Sequence, residues 1–329
     1  IVLTQKNTAP MKKQITILCL FFISFLGHSQ FSSNDQVFYL DSLKQLTTSE
    51  NYKYIRVVKD YSLVKELYDA LMYYKSGKIE MKATVVKDNN NLKFEGPCVY
   101  YFENGNRRKI VNYSNNKLMG KQFEWYENGN IKSETEIVID KKKKTETILI
   151  SQFWDENNIQ KVINGEGEFE EREDENKAII KGKVKNYLKE ERWEGYSQKL
   201  KLNFNDNYLN GKLISGVSKD SLGVEHHYTQ ILTKPIPKRG MDNFYTYISK
   251  RLQIPFSAQG KIGGKIYLTY KIAVDGKIEN VKSIYKDEYG ISDNAIQLLY
   301  SYKEWLPGNY RGVPIKTSIT LPITLQPIH

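Results

Sequence analysis

The sequence predicts a mainly β protein: an elongated antiparallel sheet of hairpins, followed by a small α+β domain built on a three-stranded antiparallel sheet. Three observations carry this. Of 329 residues, 40% are hydrophobic and 12% aromatic, with 24 tyrosines, enough to bury cores and a composition that favours strands. An aromatic pair followed by Glu-Asn-Gly recurs at a spacing of 24 residues. Near the C-terminus, strict apolar/polar alternation is framed by two short stretches with helical spacing. Length favours more than one domain, and the pattern divides into a leader (1–29), a repeat sheet (30–215), a linker (216–239) and a terminal domain (240–329).

The leader reads as a signal peptide. Lys12 and Lys13 follow Met11, and ITILCLFFISFL (15–26) is an unbroken apolar run of 12 residues. A helix of that length rises about 18 Å, short of the roughly 30 Å hydrocarbon layer. Gly27 and Ser29 supply the small residues of a cleavage site, which predicts a cut between Ser29 and Gln30, with residues 1–10 as an upstream start-site artefact. A retained membrane anchor is the alternative. Export removes Lys6, Lys12 and Lys13 and no acid, which lowers the formal charge from +11 to +8. It also leaves Cys98 as the sole thiol, so no intrachain disulfide can form.

The mature chain opens with a short helix near DSLKQL (41–46) and then strands over 52–86, where aromatic and β-branched residues lack a helical period. GPCVYYFENGNRRK (96–109) and GKQFEWYENGNIKS (120–133) superimpose without a gap. Asn-Gly between aromatic runs predicts a hairpin with a type I′ turn in each copy. One hairpin cannot bury its aromatic face, so copies stack into a sheet. YYKSGKIE (73–80), FWDENN (153–158) and NFNDNYLNGK (203–212) are degenerate copies. These residues resemble the MORN-repeat variant family, clearly over 96–133 and weakly over the rest of 70–215. The resemblance implies a scaffold of hairpins more than an activity.

Charge excludes several functions. The KKKK run at 141–144 lies between the β-like runs IVID and TETILI and reads as a solvated hairpin tip. With no platform that interleaves aromatic and basic residues, nucleic acid is not an expected partner, whereas an anionic membrane surface stays open. GEGEFEEREDENK (165–177) alternates charge without the spaced acids of a calcium loop. Adjacent His226 and His227 point apart on any regular element and lack a cysteine or spaced carboxylate, which argues against zinc. No cofactor motif and no nucleophile-base pair stands out, so a binding protein is expected and not an enzyme. Oligomeric state is left undetermined.

In the terminal domain, MDNFYTYISKRL (241–252) places Phe244, Tyr247, Ile248 and Leu252 on one helical face. Ile266, Leu268, Tyr270, Ile272 and Val274 alternate as a strand, Asp275-Gly276 turns, and a second strand starts at Ile278. Ser292 is placed to cap a second helix whose inner stripe is Ala295, Ile296, Leu299 and Tyr302, and Leu306-Pro307-Gly308-Asn309 suits a type II turn that stops it. IPFSA (254–258), YKIAVDGKIENV (270–281), SDNAI (292–296), EWLPG (304–308), GVPI (312–315) and LPITL (321–325) then carry a resemblance to the TonB C-terminal domain family over about 240–326. The resemblance implies the periplasm of Gram-negative cells and a final strand that takes up a short segment of an outer-membrane receptor by strand addition. The chain departs from an energy transducer in its short leader and in having no long proline-rich spacer. Ser283 stands where that family has an apolar residue, which predicts a less regular second strand.

Residues 311–326, RGVPIKTSITLPITLQ, alternate as one last strand. Pro314 and Pro322 have the same parity and cannot donate, so both missing donors fall on one edge. The prolines bracket Lys316, Ser318 and Thr320. These three are the candidate partner-strand residues, and Pro314 and Pro322 are the limits of the edge. An edge blunted by proline and lysine against aggregation and an edge that admits one guest strand are both consistent with this pattern.

Overall fold

A computed structural model describes residues 31–325 except 43, 45, 63, 87–92, 141, 143, 144, 259–263, 285, 286 and 304. The expected cleavage site at Ser29 and Gln30 lies outside the described residues, as does most of the 141–144 lysine run. No helix among the described residues is long and apolar enough to cross a membrane. The protein is mostly β and forms two compact units, 1–167 and 168–329.

The first unit is an antiparallel meander: β1 (Gln36–Leu40), β2 (Tyr54–Val58), β3 (Leu67–Tyr74), β4 (Ile79–Val86), β5 (Lys93–Tyr101), β6 (Arg107–Ser114), β7 (Lys117–Leu118), β8 (Gly120–Trp125), β9 (Ile131–Asp140), β10 (Thr145–Trp154) and β11 (Gln160–Ile163). From β1 to β6 each strand pairs with the next; β6 pairs with both β7 and β8, and β8 through β11 continue the chain of pairs. Leu40, Met72, Met81, Ala83, Cys98 and Val111 form its main apolar cluster, flanked by Phe94, Tyr100 and Tyr113. The helix expected near 41–46 is absent among the described residues there, where Leu46 instead bridges Leu40.

The repeat is legible in the hydrogen bonds of its turns. The Phe102 N–H donates to the Asn106 carbonyl at 2.8 Å and the Gly105 N–H to the Phe102 carbonyl at 2.9 Å; Tyr126, Asn130 and Gly129 repeat the pattern at 2.9 Å for both bonds. Tyr74, Lys78 and Gly77 form the upstream copy, and Asp155, Ile159 and Asn158 the downstream one. Only the fourth residue of each turn is left-handed, at φ 84 for Gly77, 95 for Gly105, 91 for Gly129 and 62 for Asn158. These are type I turns closed by a G1 bulge, not the expected type I′ turns. The reason lies in the asparagine: Asn104 Oδ1 accepts the Asn106 N–H at 2.9 Å, and Asn128 does the same for Asn130, which holds the turn with one positive φ instead of two. Paired left-handed residues occur at the opposite hairpin ends, at Asn115-Asn116 and Asn164-Gly165.

The register slips by one residue after each of these turns, so Glu80, Arg108, Lys132 and Lys161 are the extra residues of successive bulges. Arg108 pairs with the buried Glu80 at 2.6 Å, and Lys132 with Glu124 at 3.3 Å. Neighbouring turns are also tied directly. Asn104 and Asn106 both donate to the Glu127 carbonyl, the Tyr74 hydroxyl to the Tyr101 carbonyl, and the Tyr126 hydroxyl to the Trp154 carbonyl.

The second unit begins within β12 (Glu166–Glu173) and continues as β13 (Ala178–Lys185), β14 (Leu188–Ser197), β15 (Leu202–Leu209), β16 (Lys212–Lys219) and β17 (Glu225–Tyr228). β13 through β17 pair in sequence. Three glycines face aromatic residues on the next strand. A Cβ on Gly182 would lie 2.2 Å from the Trp193 ring, one on Gly195 2.5 Å from Phe204, and one on Gly216 2.1 Å from Tyr228. Each ring therefore lies over the bare backbone of its cross-strand partner. The segment read as a linker, 216–239, instead ends β16 and supplies β17, β18 (Leu232–Thr233) and β19 (Ile236–Pro237).

Beyond it come α1 (Met241–Arg251), a single 3₁₀ turn (Phe256–Ala258), β20 (Gly264–Ile272), β21 (Ile278–Ser283), α2 (Ile291–Ser301), β22 (Trp305–Leu306), β23 (Gly308–Tyr310), β24 (Val313–Ile315) and β25 (Thr317–Leu325). β21, β20 and β25 form a three-stranded antiparallel sheet. Its inner residues Ile266, Leu268, Tyr270, Ile272 and Leu321 pack with Phe244 and Ile248 of α1 and with Ala295 and Leu299 of α2. Val274 does not continue the alternation; it sits 56% exposed in the turn after β20. Ser292 is buried and is not the cap of α2. Gly290 holds the N-cap position without a side chain to offer, and Asp287 satisfies the first helical donors instead: it accepts N–H bonds from Ile291 at 2.8 Å and Ser292 at 2.7 Å. The turn expected at 306–309 is replaced by β22, which pairs with β19, and β23, which pairs with β18 and β24. β21 carries an extra residue around Asn280, at φ 53, so the second strand is bulged.

Candidate functional site: an open strand edge

The segment read as one strand over 311–326 does not form one. It breaks at Lys316 into β24, paired with β23, and β25, paired with β20. Pro314 therefore belongs to a different sheet from Pro322, and it does not bound the same edge. Lys316 lies between the two strands, and its Nζ reaches Glu279 Oε2 at 2.7 Å on the surface. Ser318, Thr320 and Pro322 fall in β25 as expected.

Register decides which way their backbone groups point. β25 pairs with β20 without a shift from Thr317↔Ile272 to Leu325↔Gly264, and Pro322 faces Tyr267. The Tyr267 carbonyl accepts the Ile284 N–H at 2.9 Å, so Tyr267 spends its backbone groups on the β21 side. Opposite residues in an antiparallel pair either exchange both bonds or neither. Pro322 thus faces away from β20, and by parity so do Ser318, Thr320 and Thr324. β25 is the terminal strand of its sheet, so among the described residues this row has no pairing strand and offers N–H donors at 318, 320 and 324. The same logic holds for Pro314. Tyr310 and Val313 close a two-residue turn, and Pro314 opposite Asn309 falls in the next, non-bonded pair.

A cleft of about 310 Å³ lies beside this edge, lined by Tyr245 and Ile248 of α1, by Leu252 and Ile254 after it, and by the end of β25 from Leu321. Tyr245 is half exposed, on the phase of α1 that Phe244 and Ile248 leave free. The cleft is mainly apolar, and of the open row it reaches Pro322 and Thr324. It can hold the inward side chains of an added strand. Sequence reading missed Thr324, which continues the even phase past Pro322, and the Tyr245 face of α1, which carries no signal before the helix and the strand are placed side by side.

Other chemistry is sparse among the described residues. No group of three or more His, Cys, Asp or Glu side chains is placed to hold a metal. His226 Nε2 lies 3.1 Å from Asp220 Oδ2 within one hairpin. Burial pushes the Cys98 thiol up from its ordinary range, which leaves it a packing residue between Ala83 and Val111.

With this geometry in hand, residues 94–115 and 120–137 match the MORN repeat variant family. These spans cover β5 from its second residue, β6, β8 and most of β9, but not β7; they hold the two hairpins with superimposable turns. The match does not reach residues 240–326. None of the curated proteins is similar enough to the chain to count as a match.

Proposed function

We propose that the chain is an exported envelope protein that binds a partner peptide by strand addition along β25. The observation that carries this reading is the nine-residue edge strand whose outward row no other described strand pairs with and whose end borders a cleft. Main-chain bonds at Ser318, Thr320 and Thr324 supply affinity, and pockets along α1 select alternate side chains. Pro322 interrupts the donor row and so restricts register. The resemblance to the TonB C-terminal domain family gives the partner its class, a short segment from an outer-membrane receptor, and gives the compartment as the periplasm. On this reading the protein is a binding module and not an enzyme, and it needs no cofactor. Titration of the full mature chain with peptides from receptor plug segments tests it. Saturable binding that Thr320→Pro abolishes supports the proposal; no binding up to high micromolar concentration overturns it.

The match to the MORN repeat variant supports a second role, in which the sheet of hairpins over 94–137 is itself an interaction surface of the envelope. A Thr320→Pro strain with a normal phenotype, beside a defect when the repeat turns are altered, would favour that role. Energy transduction requires a retained anchor, and N-terminal sequencing of the mature protein separates that version at once.

A further inference from the structure

Arg311 occupies a position that turn chemistry does not choose for it. It is the first residue of the β23–β24 turn, at φ 47, followed by Gly312 at φ 81. Such turns select Asn or Gly, because a left-handed L-residue costs roughly 1–2 kcal/mol. The chain nonetheless places its longest cation there and buries it completely: both the Arg311 and Asp206 side chains are 0% exposed.

Its surroundings fit the guanidinium plane on every side. Arg311 Nη2 donates to Asp206 Oδ2 at 2.9 Å, with Nε 3.3 Å from the same oxygen. Nη1 donates to Glu173 Oε1 at 3.3 Å and to the Tyr310 hydroxyl, which in turn donates to Glu173 Oε2 at 2.6 Å. The ring of Phe204 lies 3.7 Å below the guanidinium carbon. The Tyr228 hydroxyl donates to Asp206 Oδ1 and fixes that carboxylate. The Ser218 hydroxyl donates to the Arg311 carbonyl at 2.6 Å. β12, β15, β16 and β17 thus contribute an acid, a second acid with an aromatic floor, a hydroxyl and an orienting phenol. Burial opposes the charge, but the bonds Arg311 donates to Asp206 outweigh it, and Arg311 is held more firmly protonated than a free arginine.

We infer that this part of the sheet is a built guanidinium-binding site whose resident ligand is the chain's own Arg311. The site holds the β23–β24 hairpin by recognition and not by connectivity alone. It is specific for a planar fork, since two carboxylates and a ring face match arginine and not a compact ammonium. The inference is independent of what docks on β25.

Chemical rescue tests it in the full mature chain. Arg311→Ala leaves room for ethylguanidinium, which replaces the deleted side chain beyond Cβ. At a concentration tenfold above its Kd, and below denaturing levels, ethylguanidinium is expected to raise the folding equilibrium constant about elevenfold. Ethylammonium at the same concentration should not, and Arg311→Ala with Asp206→Asn should lose the effect. If Arg311→Ala does not fold alone, recovery of folded protein on adding ethylguanidinium is the supporting result. No shift or recovery, an equal response to ethylammonium, or a response that survives Asp206→Asn overturns the inference.

Discussion

Tyr267 stands opposite Pro322 in the β20–β25 pair and spends its carbonyl on Ile284, away from the proline. A residue without an N–H is thus placed where no N–H is needed by the sheet, and its neighbours of the same parity are left to the solvent side.

The two sides of β25 should therefore respond oppositely to proline. Thr320→Pro removes an outward donor and should change stability by less than about 1 kcal/mol. Ile319→Pro removes the donor facing Tyr270 and should cost about 3 kcal/mol or more. Urea unfolding of the two variants checks this, and equal losses would contradict the assigned parity.

In the repeat, Gly105→Ala and Gly129→Ala force an L-residue into φ 95 and φ 91. A Cβ at Gly105 meets open space, and one at Gly129 comes no closer than 3.5 Å to Asn106. Backbone strain alone is then the cost, on the order of 1 kcal/mol each. Asn158→Gly, at the equivalent turn, should raise the melting midpoint, because asparagine already bears part of that strain at φ 62.

Steric closeness, not φ, governs the second unit. Gly195→Ala places a methyl 2.5 Å from the Phe204 ring and 2.7 Å from the Ile179 carbonyl. A loss of about 1–3 kcal/mol is expected from overpacking. The ring that must move is also the floor beneath Arg311, so rescue of Arg311→Ala by ethylguanidinium should weaken in the Gly195→Ala background. Thermal unfolding of the single and double variants measures both effects.

Acid should loosen the start of α2. Burial raises the Asp287 pKa, but bonds from the Ser292 side chain and from the Ser292, Ile291 and Tyr289 N–H groups prevail and hold it at about 2. A depressed carboxyl contributes stability above its unfolded value near 3.9, and that contribution fades as pH falls from about 4 through 2. Solvent screening at this partly exposed group limits it to about 1–2 kcal/mol. Asp287→Asn should be less stable at pH 7 and flatten the pH dependence in that window, as read by helix-probe unfolding.

Much of this was legible in the sequence, for local reasons. The 24-residue repeat, the alternation of β20 and the parity of Pro322 are short-range patterns that fold as written. The type I′ expectation failed because the asparagine side chain, which the pattern does not weigh, satisfies the turn with one left-handed residue. Asp287, four residues before the helix begins, satisfies the first helical donors in place of Ser292, because a longer loop could return a carboxylate. The strand over 311–326 broke at Lys316 because β24 and β25 answer to different partners, and pairing partners are a long-range property. Asp206 did leave a signal: it sits in the apolar phase Leu202, Phe204, Tyr208, where a buried acid demands a cation. That the cation is Arg311, more than a hundred residues on, only the fold reveals.

Residue-resolved amide exchange of the full chain, with and without a receptor-plug peptide, tests the central claim most directly. In the free protein, Ser318, Thr320 and Thr324 should exchange rapidly while Ile319, Leu321 and Ile323 are protected, and the peptide should slow the first three selectively. Protection of both sets in the free protein, or no change at the even-numbered amides on adding peptide, would contradict it.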